Sequence, residues 1–214
     1  MIWRRLSQRA VDKMTYLYIY RLTSDTGLAP CVDNGLLSLA CCKGGQIRNG
    51  KAIHTGLRYR VGAMRDGADH KTDDVYLLGT HKNKFLYLAK VTNIVTMTEY
   101  FSKMSEGRTD SIYSFVGGKL VRNHHLRKKK AHTDPEQNIR DIAGEYVLLS
   151  EDYIYLGKDA VFDDMVDKYN ARFRETKLYK GEIAELIVEE CQKYRDGKKH
   201  LPTKPLKNRC GGCR

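Results

Sequence analysis

A chain of 214 residues, of which 41% are hydrophobic and 30% charged, is long enough for one domain with additions and for a sizeable core. This balance excludes a wholly disordered chain, and the apolar runs are far too short to span a bilayer. Residues 1–13 also lack the apolar centre of a secretion signal. We therefore expect a cytoplasmic protein with no membrane partner.

The first third of the chain contains two predicted strands. Residues 1–14 are a cationic extension of poor amphipathicity, and Tyr16–Leu22 alternates aromatic and aliphatic side chains like a strand. Residues 35–42 predict a second buried strand or a short helix. After it, we expect one or two helical turns over 46–53 and a long polar loop over 56–74.

The middle of the chain is rich in strand formers. The first two of its apolar runs are joined by a polar turn and predict a β-hairpin. Thr96, with Glu99 three residues later, predicts the cap of a short helix. The strands predicted in this part of the chain cover 75–79, 85–94, 111–116, 146–150 and 153–156.

From residue 161 onward the pattern changes to helix. Phe162, Met165 and Tyr169 recur at helical spacing, and a second apolar face runs from Ile183 to Tyr194. The end of the chain has two prolines and few apolar residues, which predicts disorder. We divide the chain into an N-terminal extension (1–14), a main α+β domain (15–160), C-terminal helices (161–197) and a basic tail (198–214).

The order of these elements predicts the fold class. Short strands, a few helices and many polar loops favour an α+β domain built on a small, mostly antiparallel, partly closed β-barrel. Strict alternation of strand and helix is absent, which disfavours a doubly wound parallel sheet.

Charge is unevenly distributed along the chain, whose net charge is +12. Residues 119–130 carry six Lys or Arg and no acid, whereas residues 134–167 carry ten acids and two cations. Such segregation is typical of proteins that bind polyanions, although a lone basic run is more often a solubilising surface. We expect contacts to nucleic-acid phosphates from Lys119, Arg122, Arg127, Lys128, Lys129 and Lys130.

The segment 21–48 is the strongest candidate for a ligand loop. Turns at 24–27 and 33–35 expose backbone amides, and the paired glycines after Lys43 let the backbone approach an anion. The alternative is structural, since hairpin turns and a buried strand need the same residue types. The candidate ligand-binding residues are Asp25, Thr26, Gly27, Cys31, Lys43, Arg48, Asn123 and His124.

The six cysteines do not form a recognisable framework. Without a secretion signal we expect reduced thiols, and adjacent Cys41 and Cys42 would point to opposite faces of a strand. Cys210 and Cys213 have the spacing of a metal or redox pair, and only His200 lies near them in sequence. We predict no metal and no cofactor, and leave the role of that pair open.

Several stretches together resemble the bacterial and phage family called nucleotide modification associated domain 2. The resemblance rests on Tyr16-Leu-Tyr-Ile-Tyr20, Asp25-Thr-Gly-Leu-Ala-Pro-Cys31, Leu39-Ala-Cys-Cys-Lys43, Ile47-Arg48, 75–80 and 86–91, with Asn123-His124 and Tyr155-Leu-Gly157 as later anchors. The resemblance implies that the protein functions together with systems that modify bases in DNA or recognise altered ones. By analogy it also suggests the small PUA, ASCH and EVE barrels, which hold a nucleobase. The chain has Asp73-Asp-Val-Tyr76 where a Gly-Asp-Trp turn is usual.

Three functional hypotheses follow. The first is a module that binds nucleic acid, DNA above all, or a modified nucleotide, with the segment 25–48 as pocket and 119–130 gripping phosphate. The second is an enzyme acting on a nucleotide or base through Cys31 or Asp25, Lys43 and His124, although no common catalytic or phosphate-loop motif occurs. The third is a non-catalytic interaction protein whose basic tail supplies the charge.

Overall fold

The computed structural model describes residues 13–66, 72–123, 134–172 and 175–195. Residues 1–12 of the N-terminal extension, residues 124–133 and the basic tail lie outside these ranges. Several predicted site residues therefore lie outside the described residues as well: His124, Arg127, Lys128, Lys129, Lys130, His200, Cys210 and Cys213.

The described residues form fourteen strands and five α-helices. The strands are β1 (Thr15–Leu22), β2 (Cys31–Asp33), β3 (Leu36–Leu39), β4 (Gln46–Arg48), β5 (Lys51–Ile53), β6 (Asp74–His81), β7 (Lys84–Lys90), β8 (Asn93–Thr96), β9 (Tyr113–Val116), β10 (Lys119–Arg122), β11 (Tyr146–Ser150), β12 (Asp152–Tyr155), β13 (Val161–Phe162) and β14 (Thr176–Lys180). The helices are α1 (Leu57–Asp66), α2 (Met97–Glu99), α3 (Pro135–Ile142), α4 (Asp164–Tyr169) and α5 (Glu182–Gln192). A π-helical turn, Tyr100–Met104, continues α2.

The larger sheet has the strand order β12–β7–β6–β1–β14, and β13 also pairs with β7. β1 and β6 are parallel, and every other pair in this sheet is antiparallel. β1 has apolar side chains on both faces, and nearly all of them are buried. A strand of that kind suits the interior of a sheet covered on both sides.

The smaller sheet has the order β2–β3–β11–β8 and shares two chain segments with the larger one. The chain passes from β7 to β8 and from β11 to β12, and these two segments pair with each other in both sheets. The two sheets therefore meet at a corner. The α+β class is confirmed, but the sheets of the described residues do not close into a barrel.

Three apolar clusters hold these layers together. The inner face of the larger sheet packs against β3 and α1, and its outer face packs against α4 and α5. The third cluster joins the smaller sheet to the π-helical turn and to β9. Packing on both faces of both sheets fixes the loops that follow β1 and β3, which carry four of the eight predicted ligand residues: Asp25, Thr26, Gly27 and Lys43.

The expected helical turns over 46–53 are wrong, because β4 and β5 form a hairpin there. Asn49 and Gly50 at its turn have φ values of 52° and 70°. Positive φ at both central residues is the type I′ geometry, and Asn-Gly is its preferred sequence. The Asn-Gly pair was the signal that predicts this hairpin.

The expected polar loop over 56–74 is also wrong in its first half, which is α1. Leu57 and Val61 lie one helical turn apart and are buried, but the same face also buries Arg58 and Gly62. An arginine and a glycine on the inward face hide the apolar period that predicts a helix.

Other elements were predicted correctly. β1, the β6–β7 hairpin and α5 lie where the hydrophobic pattern places them, except that the strand expected over 85–94 ends at Lys90 and β8 of the smaller sheet begins at Asn93. The Thr96 hydroxyl accepts a hydrogen bond from the Glu99 amide at 3.1 Å, as the capping pattern predicts. Within the described ranges no helix combines the length and the apolarity needed to cross a membrane.

Candidate functional site

Asp25 is fully buried and organises the loop after β1. Its carboxylate accepts hydrogen bonds from the Gly27 amide at 3.4 Å and from the Tyr155 hydroxyl at 2.6 Å. The first bond, to the amide two residues later in the chain, forms the Asx turn that aspartate favours. The second links the loop to β12, 130 residues later in the chain.

A row of residues crosses the larger sheet next to Asp25. Tyr20, Gly79, Tyr87 and Tyr155 occupy neighbouring positions on β1, β6, β7 and β12. Because Gly79 has no side chain, the Tyr87 ring leans across β6, and its hydroxyl shares a hydrogen bond with that of Tyr20. We call Asp25, Tyr20, Tyr87 and Tyr155 the Asp25 cluster.

The tyrosines of the Asp25 cluster are neutral hydrogen-bonding groups. Burial raises the pKa of Tyr20, Tyr87 and Tyr155, and the Asp25 carboxylate raises each further. Asp25, Tyr20 and Tyr87 are fully buried, whereas Tyr155 is half-buried. A ligand at this site would therefore touch Tyr155, and Asp25 would act by holding its hydroxyl in place.

Lys43 lies over the same row of tyrosines. Its ammonium group is 4.8 Å from the centre of the Tyr20 ring, a favourable position for a cation over an aromatic face. Arg60 and Lys180 lie in the same way over Tyr18 and Tyr16, which share the inner face of β1 with Tyr20. Lys43 is half-buried, so that part of its side chain faces solvent.

The glycines after Lys43 are explained by packing within the protein. A Cβ on Gly44 would collide with the backbone of α3 and with Arg58, and one on Gly45 would lie 2.8 Å from the Ala143 Cβ. Cys42 and Lys43 have φ values of 59° and 50°, so the segment is a tight bend and not a strand. The sequence-based argument that adjacent cysteines diverge does not apply in such a bend. A hydrogen bond from Cys42 lowers the pKa of the Cys41 thiol, but burial, Asp141 and Asp110 together outweigh it and the pKa is raised.

Arg58 fixes this bend from beneath. It is fully buried, and its guanidinium donates to the carbonyls of Cys42 at 2.8 Å, Tyr146 at 2.6 Å and Asp141. The Asp141 carboxylate in turn accepts from the Cys42 amide at 2.8 Å. The position of Lys43 is therefore set by a hydrogen-bond network that reaches α1, α3 and β11.

Cys31 lies between the Asp25 cluster and a second buried network. Its thiol donates to Asp33 at 3.2 Å and lies 3.8 Å from the Arg108 guanidinium. Arg108 also forms an ion pair with Asp110 at 3.5 Å. Burial raises the pKa of Cys31, and Asp110 and Asp33 raise it further. A fully buried neutral thiol is a poor nucleophile, so Cys31 gives the enzyme hypothesis no support.

The other predicted residues that lie within the described ranges are spread over the surface. Arg48 is exposed next to the turn of the β4–β5 hairpin, and Lys119 is exposed on β10. Arg122 is half-buried at the end of β10, and Asn123 lines a surface groove beside the π-helical turn. The structure thus brings together Asp25, Thr26, Gly27, Cys31 and Lys43, but not Arg48 or Asn123.

Sequence reasoning missed the residues that hold the site in place. The missed residues are Tyr20, Arg58, Gly79, Tyr87, Arg108, Asp110, Asp141 and Tyr155. Tyr20 and Tyr155 belong to predicted strands and to the stretches that carry the family resemblance, and the signals available for them were that resemblance and the alternation of inward positions along the strands. The two buried arginines carried no signal, since arginines are rarely fully buried.

Within the described ranges no three His, Cys, Asp or Glu side chains lie close enough to hold a metal ion. The model of the family "nucleotide modification associated domain 2" matches residues 14–205. The chain belongs to this family. The match to nucleotide modification associated domain 2 includes the Asp25 cluster, the Lys43 bend and the C-terminal helices α4 and α5. Neither a curated protein nor a solved structure matches the chain.

Proposed function

We propose that the protein is a module that binds nucleic acid, DNA above all, or a modified nucleotide, and that it works beside systems that modify DNA bases. One observation carries the proposal. Lys43 is held over a buried tyrosine row, and it opens a stretch of chain, 43–65, with six Lys or Arg and no Asp or Glu. A hydrogen-bonding site beside a stretch of chain that carries cations and no acid in sequence suits a ligand with a base and a phosphate.

The cationic surface is built by the β4–β5 hairpin and α1. Its exposed cations are Arg48, Lys51 and Arg60, whereas Arg58 is buried and contributes to the frame. In the proposed complex these cations and Lys43 contact phosphate, while Thr26 and the Tyr155 hydroxyl contact the base. The basic run 119–130 extends the phosphate contacts along a longer strand.

The corner between the two sheets is the part of the fold that we compare with the small base-binding barrels. The sheets meet at a corner formed by β7–β8 and β11–β12, and Tyr155 ends the second of these segments. We propose that this corner takes the place of the base pocket of a PUA-like barrel, without closure of the sheet.

Fluorescence anisotropy with a short labelled oligonucleotide tests the proposal. Affinity should fall about tenfold or more between about 50 and 200 mM salt, because phosphate binding releases counterions. Lys43→Ala should weaken binding roughly tenfold, the loss expected for one charge-assisted hydrogen bond. Lys84→Ala removes an exposed cation at the start of β7 and serves as the matched control.

Two results would contradict the proposal. The first is an affinity that stays the same when salt is added, in the Lys43→Ala variant, and also in the variant that combines Lys128→Glu with Lys129→Glu. The second is complete loss of affinity on truncation after Gly197 in a protein that remains folded, because the tail alone would then explain the binding. DNA, RNA and nucleoside monophosphates, titrated in parallel, rank the ligand classes.

A further inference from the structure

A polar groove lies on the other side of the smaller sheet from the Asp25 cluster. It has a volume of about 400 Å³ and runs between the π-helical turn, the loop 105–111 and β9. Its polar lining consists of Ser102, Lys103, Ser105, Glu106, Ser111, Ser114 and Asn123. π-Helical turns are rare and occur frequently at functional sites.

The groove is suited to an anion and not to a base. Its aromatic walls, Phe101 and Tyr113, are buried and packed edge to face with ring centres 5.2 Å apart, so neither presents a face for stacking. Hydroxyl, amide and ammonium groups are the side chains that usually contact phosphate oxygens without reading sequence. The groove therefore has the chemistry of a backbone contact.

Part of the hydroxyl lining is already ordered. The Ser105 and Ser111 hydroxyls lie 3.3 Å apart, and one of the two protons satisfies that bond while the other can be donated. Ser102 donates to the Glu99 carbonyl at 3.2 Å. Ser114 and Asn123 complete the lining from the β9–β10 hairpin, whose exposed Lys119 supplies further positive charge.

We propose that this groove binds a phosphate of the nucleic-acid backbone, and the proposal rests on the function proposed above. Ser114, Asn123 and Lys103 donate to the phosphate oxygens, and the β9–β10 hairpin lies along the strand. Glu106 also lines the groove and opposes an anion by its charge. Lys103 and Glu106 are the charged residues of the lining, so the neutral hydroxyl and amide groups supply most of the donors to the phosphate.

The test combines substitutions with opposite expected effects in the full chain. Ser114→Ala with Asn123→Ala should weaken binding of a labelled DNA oligonucleotide about fivefold or more, since two contacts to a charged group are lost. Glu106→Gln should strengthen binding about two- to fivefold, because it removes a like charge. Thr98→Ala, which removes an exposed hydroxyl from α2, is the matched control, and urea unfolding shows that each variant is folded.

The outcomes separate this inference from the function on which it rests. If the parent protein does not bind DNA, both fail. If the parent binds and Lys43→Ala weakens binding, but the double substitution changes affinity less than twofold, the groove proposal is wrong and the function stands. Weaker binding by Glu106→Gln also overturns the groove proposal, because an anion site predicts the opposite sign.

The source of the phosphate is tested with the same variants. If the groove binds a backbone phosphate, the double substitution should weaken the binding of an oligonucleotide that has a 5′-phosphate and of one that lacks it to the same extent. An effect confined to 5′-phosphorylated DNA, or to competition by inorganic phosphate, would mean that the groove takes a terminal or free phosphate, and the backbone assignment would be wrong.

Discussion

Substitution of Gly79 by alanine tests the account of the tyrosine row. A Cβ built on Gly79 lies 2.5 Å from Tyr87 Cδ1 and 2.9 Å from Leu22 Cδ1. Both side chains belong to the inner core, and the Tyr87 ring is fully buried. The ring cannot retreat without moving its hydroxyl away from Tyr20.

The expected cost follows from these contacts. Overpacking a core usually destabilises by about 1–3 kcal/mol. A Tyr87 ring displaced by the methyl group leaves the buried Tyr20 hydroxyl without its partner, which costs about 1–3 kcal/mol more. We expect Gly79→Ala to lower the free energy of unfolding by about 2–6 kcal/mol, and Tm by about 2–4 °C for each kcal/mol in a chain of this size.

Urea and thermal unfolding followed by circular dichroism measure this loss. The matched control is Tyr87→Leu, which removes the ring and so removes the clash. In the Tyr87→Leu background, Gly79→Ala should cost at least about 1 kcal/mol less than in the parent, and that difference is the coupling between the two positions. A Gly79→Ala protein as stable as the parent would refute the reasoning, because alanine on its own stabilises an unstrained backbone.

Three further predictions concern the frame of the site. Arg58→Met should lower the free energy of unfolding by about 3–5 kcal/mol, because three buried carbonyls lose their donor; urea unfolding measures it, and a loss below about 1 kcal/mol would contradict the network. Cys31 should react with iodoacetamide at pH 7 only when the protein unfolds, and mass spectrometry of alkylated native protein would expose any fast reaction. Burial acts to raise the pKa of Asp163, but hydrogen bonds from Tyr194 and the Val166 amide outweigh it and lower the pKa. Its stabilisation is complete above the unfolded pKa of about 4 and is lost as the pH falls through the lower folded pKa, so Asp163→Asn should cost about 1 kcal/mol at pH 7 and almost nothing at strongly acidic pH.

The sequence predicted those elements whose hydrophobic period is unbroken. β1 alternates tyrosines with aliphatic residues, and α5 repeats apolar residues at helical spacing. α1 was not predicted, because its buried face contains Arg58 and Gly62 as well as Leu57 and Val61, and these two residues interrupt the apolar period. β14 is half-buried, and its two lysines, Lys177 and Lys180, are three residues apart and so fall on opposite faces, which breaks the alternation that predicts a strand.

The candidate site divides in the same way. The motif around Asp25 and Lys43 was found from local composition, and the structure brings these two residues to one tyrosine row. Tyr155 lies 130 residues from Asp25, and nothing in the local sequence of either residue encodes that contact. Contacts of this kind depend on the register of four strands, which a single sequence does not specify.

The burial of several charged residues changes the meaning of the net charge of +12. Arg58 and Arg108 belong to internal networks. Their guanidinium groups contact backbone carbonyls and Asp110, so they do not form part of a binding surface. What remains on the stretch 43–65 is a set of cations at the surface with no acid among them in sequence. Because exposed charges are screened within about 8 Å at physiological salt, local segregation decides whether a polyanion is attracted, and the total charge does not. The case for a phosphate-bearing ligand therefore rests on the β4–β5 hairpin and α1 beside Lys43.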